Sequence, residues 1–141
     1  KINEKKNLNF NDDDNYYGLG WSHNLGKTGV WSEGEVSTLL FRTEKNYGDI
    51  KLDIICNPYI SRKRNVLEFD IYVNNLFNQN VKFKSTIDRT IEILISQELL
   101  KDNEIKIDFI FKNLISPHKA LESPDSRKLG ILVKNMRFIS I

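Results

Sequence analysis

A single cysteine, Cys56, stands in the whole chain, so no internal disulfide can form and a disulfide-built secreted scaffold is excluded. That count leaves the redox compartment open. Histidine is almost as scarce: His23, His118 and Cys56 are too few nitrogen and sulfur ligands for a zinc site. No run of about eighteen apolar residues occurs, so no segment reads as a membrane-spanning helix. The N-terminus, Lys-Ile-Asn-Glu-Lys-Lys, lacks the apolar segment of a signal peptide. The chain opens at Lys1 rather than Met, which leads us to expect a piece excised from a longer protein. An excess of one charge sign is also missing: 21 Lys and Arg face 19 Asp and Glu, for a net charge of +2. A nucleic-acid partner calls for a stronger basic excess or a basic stripe. The one short basic cluster, Arg62-Lys63-Arg64, reads as a solvated turn between strands.

What is present is period-two alternation. Ile50 to Ile54 alternates and runs into Cys56, where a buried thiol acts as a small hydrophobe. Leu67 to Val73, Val81 to Lys84, Ile91 to Ile95 and Ile105 to Phe111 follow the same pattern. Val36–Thr43 and Ile131–Ile141 are strand-like, and Leu8-Asn9-Phe10 suits a short first strand. Turn residues separate these runs: Tyr47-Gly48-Asp49, Asn57-Pro58, Asn74-Asn75, Asn78-Gln79-Asn80 and Lys101-Asp102-Asn103. The expected fold is all-β: a single antiparallel, jelly-roll-like β-sandwich over residues 1–141, with about eight strands. Two short helical turns fit, Ser96 to Leu100 and Ser116 to Leu121, the latter with Ser116 as cap and Pro117 at its first position. From Asn11 to Glu35, where both tryptophans lie, alternation fades and a long loop packed over one sheet is expected.

Catalytic patterns fail one by one. Gly20 to Thr28 looks like a phosphate-binding loop, but five residues instead of four separate Gly20 from Gly26-Lys27-Thr28, and neither a preceding buried strand nor a following helix is present. Asp12-Asp13-Asp14 lacks the spacing of a calcium-binding helix–loop–helix, so only a structural calcium held by scattered loop oxygens stays open. Ser116 or Ser123 with His118 and Asp125 compose a triad only on paper. Carboxylate pairs for glycoside hydrolysis are unconstrained among 19 acids. No catalytic residue is therefore assigned, and the isolated chain reads as a non-enzyme without a resident cofactor.

Binding chemistry is better represented. Trp21 and Trp31 are either core plugs beneath the long loop or platforms on which a sugar ring stacks its C–H face. His23 and Asn24 lie between them and offer hydrogen bonds to hydroxyls. In Ser123-Pro124-Asp125-Ser126-Arg127-Lys128-Leu129-Gly130, Asp125 and Arg127 are close enough to organise one loop, either as a clamp onto the tryptophan-rich segment or as ligand contacts.

Three stretches together carry a resemblance: Gly20-Trp21-Ser22 with Val30-Trp31-Ser32-Glu33-Gly34, then Ile71 to Asn75, then Ile115-Ser116-Pro117 running to Ile131. The set resembles a small β-sandwich domain of unknown function found in bacterial glycosyltransferases and related cell-surface-glycan proteins, and it covers residues 8–141. His23-Asn24-Leu25 stand where that family often carries an acidic residue, so a contact made by that acid is in doubt here. The resemblance implies a bacterial protein, cytoplasmic or envelope-associated through other domains. Its implied role is a non-catalytic carbohydrate-binding-like accessory module whose partners are a surface glycan and adjacent domains of the same chain. The contact set expected for that role is Trp21, His23, Asn24, Trp31, Asp125 and Arg127. An assembly module, docking a neighbouring domain or forming a homodimer, is the alternative.

Overall fold

The computed structural model describes residues 7–8, 16–22, 29–43, 48–100 and 102–141. Nine strands form among them: β1 (Asn7–Leu8), β2 (Val30–Glu33), β3 (Val36–Arg42), β4 (Ile50–Pro58), β5 (Leu67–Val73), β6 (Leu76–Phe83), β7 (Arg89–Ile95), β8 (Glu104–Lys112) and β9 (Leu129–Ser140). In one sheet β9 pairs with β1 and β2 on one side and β4 on the other, and β4 pairs with β7; the second sheet runs β3-β8-β5-β6. Every pairing is antiparallel. Consecutive strands from β2 onward change sheet at every step except the β5–β6 hairpin. This is the jelly-roll arrangement.

The alternation explains the packing. On β5, Leu67, Phe69, Ile71 and Val73 are buried, and the residues between them are partly exposed. On β8, Ile105, Ile107, Phe109 and Phe111 are buried in the same way. They face Ile50, Leu52, Ile54 and Cys56 of β4 and Ile91, Ile93 and Ile95 of β7 across the interior, all in one apolar cluster. Burial pushes the Cys56 thiol up to about 12, so this cysteine is a core residue and an unreactive one.

Three sequence expectations need correction. Asn78-Gln79-Asn80 is no turn but part of β6. The hairpin turns on Asn74-Asn75 alone, with φ of 48° and 68°, the double left-handed geometry of a tight two-residue turn that asparagine tolerates. The amide residues read as loop because three of them in a row interrupt the apolar positions of an edge strand. Their side chains serve that edge: Asn78 Nδ2 donates to Leu94 O at 3.3 Å and Gln79 Nε2 to Glu92 O at 2.9 Å, stapling β6 to β7 of the opposite sheet. The long loop is interrupted by β2, which alternation missed because an inward position holds Ser32. That side chain is 0% exposed, and its hydroxyl accepts the backbone N–H of Ile131 at 2.8 Å. The third concerns Arg62-Lys63-Arg64: Arg62 and Lys63 are exposed, but Arg64 is buried. Ser61 Oγ accepts the N–H groups of Lys63 and Arg64 at 3.2 and 3.1 Å, closing a tight turn that sends the third cation inward. Of the two helical turns, Gln97–Leu100 is a 3-10 helix, and Ser116 Oγ accepts Lys119 N at 3.0 Å in the other. No helix among the described residues is long and apolar enough to cross a membrane.

Candidate functional site

Residues 16–22 tie the two sheet edges together. Leu40 N donates to Tyr16 O, Gly18 N to Thr38 O and Thr38 N to Leu19 O along β3, at 2.8, 2.8 and 2.9 Å. The segment then changes partner: Glu33 N donates to Gly20 O at 2.8 Å and Ser22 N to Trp31 O at 2.9 Å. Gly20, at φ +84°, is the crossing point. Trp21 therefore points inward. It is 8% exposed, meets Phe109 edge-on at 6.0 Å and Tyr17 at 5.0 Å, and its indole N–H donates to Thr38 O at 2.9 Å. Of its two sequence readings the core plug is the one the geometry takes, since no ring face is left for a sugar.

Asp125 and Arg127 form a clamp. Arg127 Nε donates to Asp125 Oδ1 at 3.0 Å, Nη2 to Asp125 Oδ2 at 2.6 Å, and Nη1 crosses to Ser22 Oγ at 2.8 Å. The backbone joins in: Arg127 N donates to Asp125 Oδ1 at 3.0 Å, and His118 N donates to Asp125 O at 2.7 Å. Each nitrogen of the guanidinium is engaged, so the pair acts on loop 115–129 and on the tryptophan segment at once. The hydrogen bonds from Arg127 hold the Asp125 carboxyl below the usual carboxylate range, and Asp125 holds Arg127 above its own. Because the folded-state pKa of Asp125 is depressed, its stabilisation is complete above the ordinary carboxylate value of about 3.9 and is lost as pH falls through the folded value. Thermal melts of the wild type and Asp125→Asn should thus differ most near neutral pH and converge under acid; a constant gap down to strong acid would show that this carboxylate does not titrate with folding.

Trp31 is placed differently. It alternates with buried Val30 and Ser32 on β2, so its ring lies on the outward face of the sheet, and it is half-buried. Leu132 of β9 is its partner across the ladder and Asn57 of β4 is the next in the row, both also half-buried. One aromatic face, one aliphatic side chain and one carboxamide thus share a row on a rigid three-strand surface. His23 and Asn24 lie outside the described residues, as does Asp12-Asp13-Asp14.

A cleft elsewhere on the molecule was not foreseen. At one end of the sandwich, the turn after β4, the exit of β8 and the neck of loop 115–129 enclose an open cleft of about 410 Å³. Loop 115–129 is closed at its neck by an Ile115–Leu129 bridge and held by Tyr59, whose hydroxyl donates to Glu122. Partial burial and that bond push the Tyr59 phenol up to about 12. No sequence signal beyond the Arg62-Lys63-Arg64 cluster pointed here, because the lining joins two stretches far apart in sequence, 63–64 and 113–128. No group of three or more His, Cys, Asp or Glu among the described residues could hold a metal ion.

No protein-family model matches the chain, and no curated protein matches it. Among solved structures it is similar to part of a family GH115 4-O-methyl-α-glucuronidase, BtGH115A, with specificity for decorated arabinogalactans: TM-score 0.52 at 9% identity, covering 80% of this chain and 14% of that enzyme. It is also similar to a carbohydrate-binding module, CBM36 in complex with calcium and xylotriose, at TM-score 0.43 and 10% identity over 96% of this chain and 97% of that one. The CBM51 module of a Clostridium perfringens GH95 protein, in complex with methyl-galactose, gives 0.42 and 12% over 77% and 68%. At such identities the likeness to the glucuronidase is one of fold. The chain is an antiparallel β-sandwich of jelly-roll topology.

Proposed function

We propose that this chain is a non-catalytic carbohydrate-binding-like accessory module, which binds or positions a surface glycan for a bacterial glycosyltransferase or surface-glycan protein to which it is joined. The observation that carries this reading is Trp31: a half-buried indole on the outward face of a sheet, beside Leu132 and Asn57. Such a ring offers a sugar a flat apolar face at small entropic cost, and the carboxamide oxygen of Asn57, whose Nδ2 is held by Thr86 O and Asp88 Oδ1, can accept from a hydroxyl. His23 and Asn24, which follow the clamped Ser22 in sequence, complete the proposed contacts. Asp125 and Arg127 are positioning residues in this scheme, because they fix Ser22 from the other side.

The test is a titration of the domain with neutral and acidic oligosaccharides, read by tryptophan fluorescence in a Trp21→Phe background so that Trp31 alone reports. Trp31→Ala, made in the otherwise wild-type chain and followed by backbone NMR shifts, is expected to weaken glycan binding roughly tenfold, about 1.4 kcal/mol, while stability falls by no more than about 2 kcal/mol. No perturbation at millimolar glycan, or full binding by Trp31→Ala, would sink the reading.

A further inference from the structure

The cleft at the end of the sandwich has a one-sided charge. Lys63, Arg64, Asn113, Ser116, Lys119 and Lys128 line it, and among the described residues no acidic side chain does. The three lysines are exposed and Arg64 is 9% exposed. Arg64 is held by its Nη2, which donates to Tyr59 O at 2.6 Å, and its guanidinium lies 5.7 Å from the Tyr59 ring centroid. Its Nε and Nη1 are buried and have no hydrogen-bond partner among the described residues. Among the described residues no carboxylate forms an ion pair with it. Burial without a counter-ion depresses the pKa of this guanidinium.

An unpaired buried cation is costly. The bond to Tyr59 O and the contact with the Tyr59 ring hold the guanidinium in place, but neither neutralises its charge. What the charge does is act through low-dielectric protein on whatever occupies the cleft, where solvent screens it poorly. The exposed lysines add to the same field, and the Ser116 hydroxyl and Asn113 carboxamide can donate to oxygen. The wall that carries Ser116, Lys119 and Lys128 is fixed in place by the Asp125–Arg127–Ser22 clamp and by the Tyr59–Glu122 bond.

We propose that this cleft binds an oxyanion, the carboxylate or sulfate group of an acidic saccharide, with Arg64 as its buried counter-charge and Lys63, Lys119 and Lys128 as its rim. The saccharide half of the proposal rests on the function proposed above; the oxyanion half rests on Arg64 and the cleft alone. The cleft is a separate surface from the Trp31 row, so the two can be tested apart.

The experiment titrates the whole chain with oligogalacturonate, a sulfated chondroitin oligosaccharide, a neutral galacto-oligosaccharide, sodium sulfate and duplex DNA, at low and high salt. Backbone NMR shifts locate each ligand. Acidic oligosaccharides are expected to shift cleft residues, to lose affinity as salt rises, and to bind roughly tenfold or more weakly to Lys119→Glu/Lys128→Glu. Both of those lysines are exposed, so this variant keeps its fold. Arg64→Met should weaken binding as well; if it fails to fold, the double variant decides alone. Unchanged acidic binding by the double variant overturns the proposal. So does equal affinity for duplex DNA, which would mean charge alone, and so does sulfate ion matching the oligosaccharides, which would make the ligand a free ion. Neutral glycan binding that needs Trp31, with no acidic binding at the cleft, overturns this inference and leaves the proposed function standing. Acidic binding lost only in the cleft variants, with neutral glycans inert and Trp31→Ala unaffected, upholds the inference and removes the Trp31 reading.

Discussion

Trp21→Ala is expected to lower the unfolding free energy by about 4 kcal/mol, the usual cost of deleting a buried aromatic side chain. The indole fills the space between Phe109 and Tyr17, and its N–H satisfies the Thr38 carbonyl, which also accepts from Gly18 N. Alanine removes both contributions and leaves a cavity where the two sheet edges meet. Trp21→Phe keeps most of the volume and loses chiefly the hydrogen bond, so about 1–2 kcal/mol is expected. Urea denaturation measures both. A Trp21→Ala protein of near-native stability that no longer bound glycan would reverse the assignment and make this ring, not Trp31, the ligand face.

Gly20→Ala should be nearly as damaging, about 3 kcal/mol or more. A Cβ at Gly20 would sit 2.1 Å from Val36 O and 2.8 Å from Ser37 Cα, both backbone atoms, at φ +84°. Two costs combine: left-handed backbone strain of about 1–2 kcal/mol, and overpacking of typically 1–3 kcal/mol. Gly34→Ala separates them. Gly34 is also left-handed, at φ +91°, but nothing lies within 4 Å of its added Cβ. It should lose only the strain, about 1 kcal/mol. Equal losses at the two positions would mean that residues 16–22 do not pack against β3 as closely as described here.

The strands were legible wherever one face is apolar and the other polar. The run Leu67 to Val73 matches β5 at both ends, and Ile105 to Phe111 lies within β8. They were illegible where function or edge chemistry put polar side chains into strand positions. Ser32 breaks the alternation of β2 because a hydroxyl, not a methyl, is needed against Ile131 N, and Gly130 leaves it room: a Cβ there would fall 2.6 Å from Ser32 Oγ. Asn78 to Asn80 hid the first part of β6, whose end was read in the alternation from Val81, because an edge strand can use amides to reach the neighbouring sheet. At the site, Asp125 and Arg127 were readable as a pair two residues apart, and the clamp was one of the two roles their spacing allowed. Trp21 and Trp31 were readable as aromatics but not as different ones. The change of partner at Gly20, a tertiary event, turns Trp21 in, while the alternation of β2 leaves Trp31 out. Beyond the Arg62-Lys63-Arg64 cluster the cleft could not be read, since it exists only where the turn after β4 meets residues 113–128, about fifty residues on.

β9 comes last among the strands and sits between β1, β2 and β4, all of which hydrogen-bond to it. Ser32 and Ile131, which meet in this region, are 99 residues apart. Closing loops of that length before the contacts reward them makes for slow folding, in the range of milliseconds to seconds for sandwich proteins. During synthesis the delay is longer. At translation rates of about 5–20 residues per second, β2 waits roughly 5–20 s for its partner to emerge. For that interval β2 and β4 present open backbone edges, which is when a nascent chain of this kind is most exposed to wrong pairing. The row Trp31–Leu132–Asn57 is assembled by the same event, so any ligand that needs it selects finished chains and ignores partial ones.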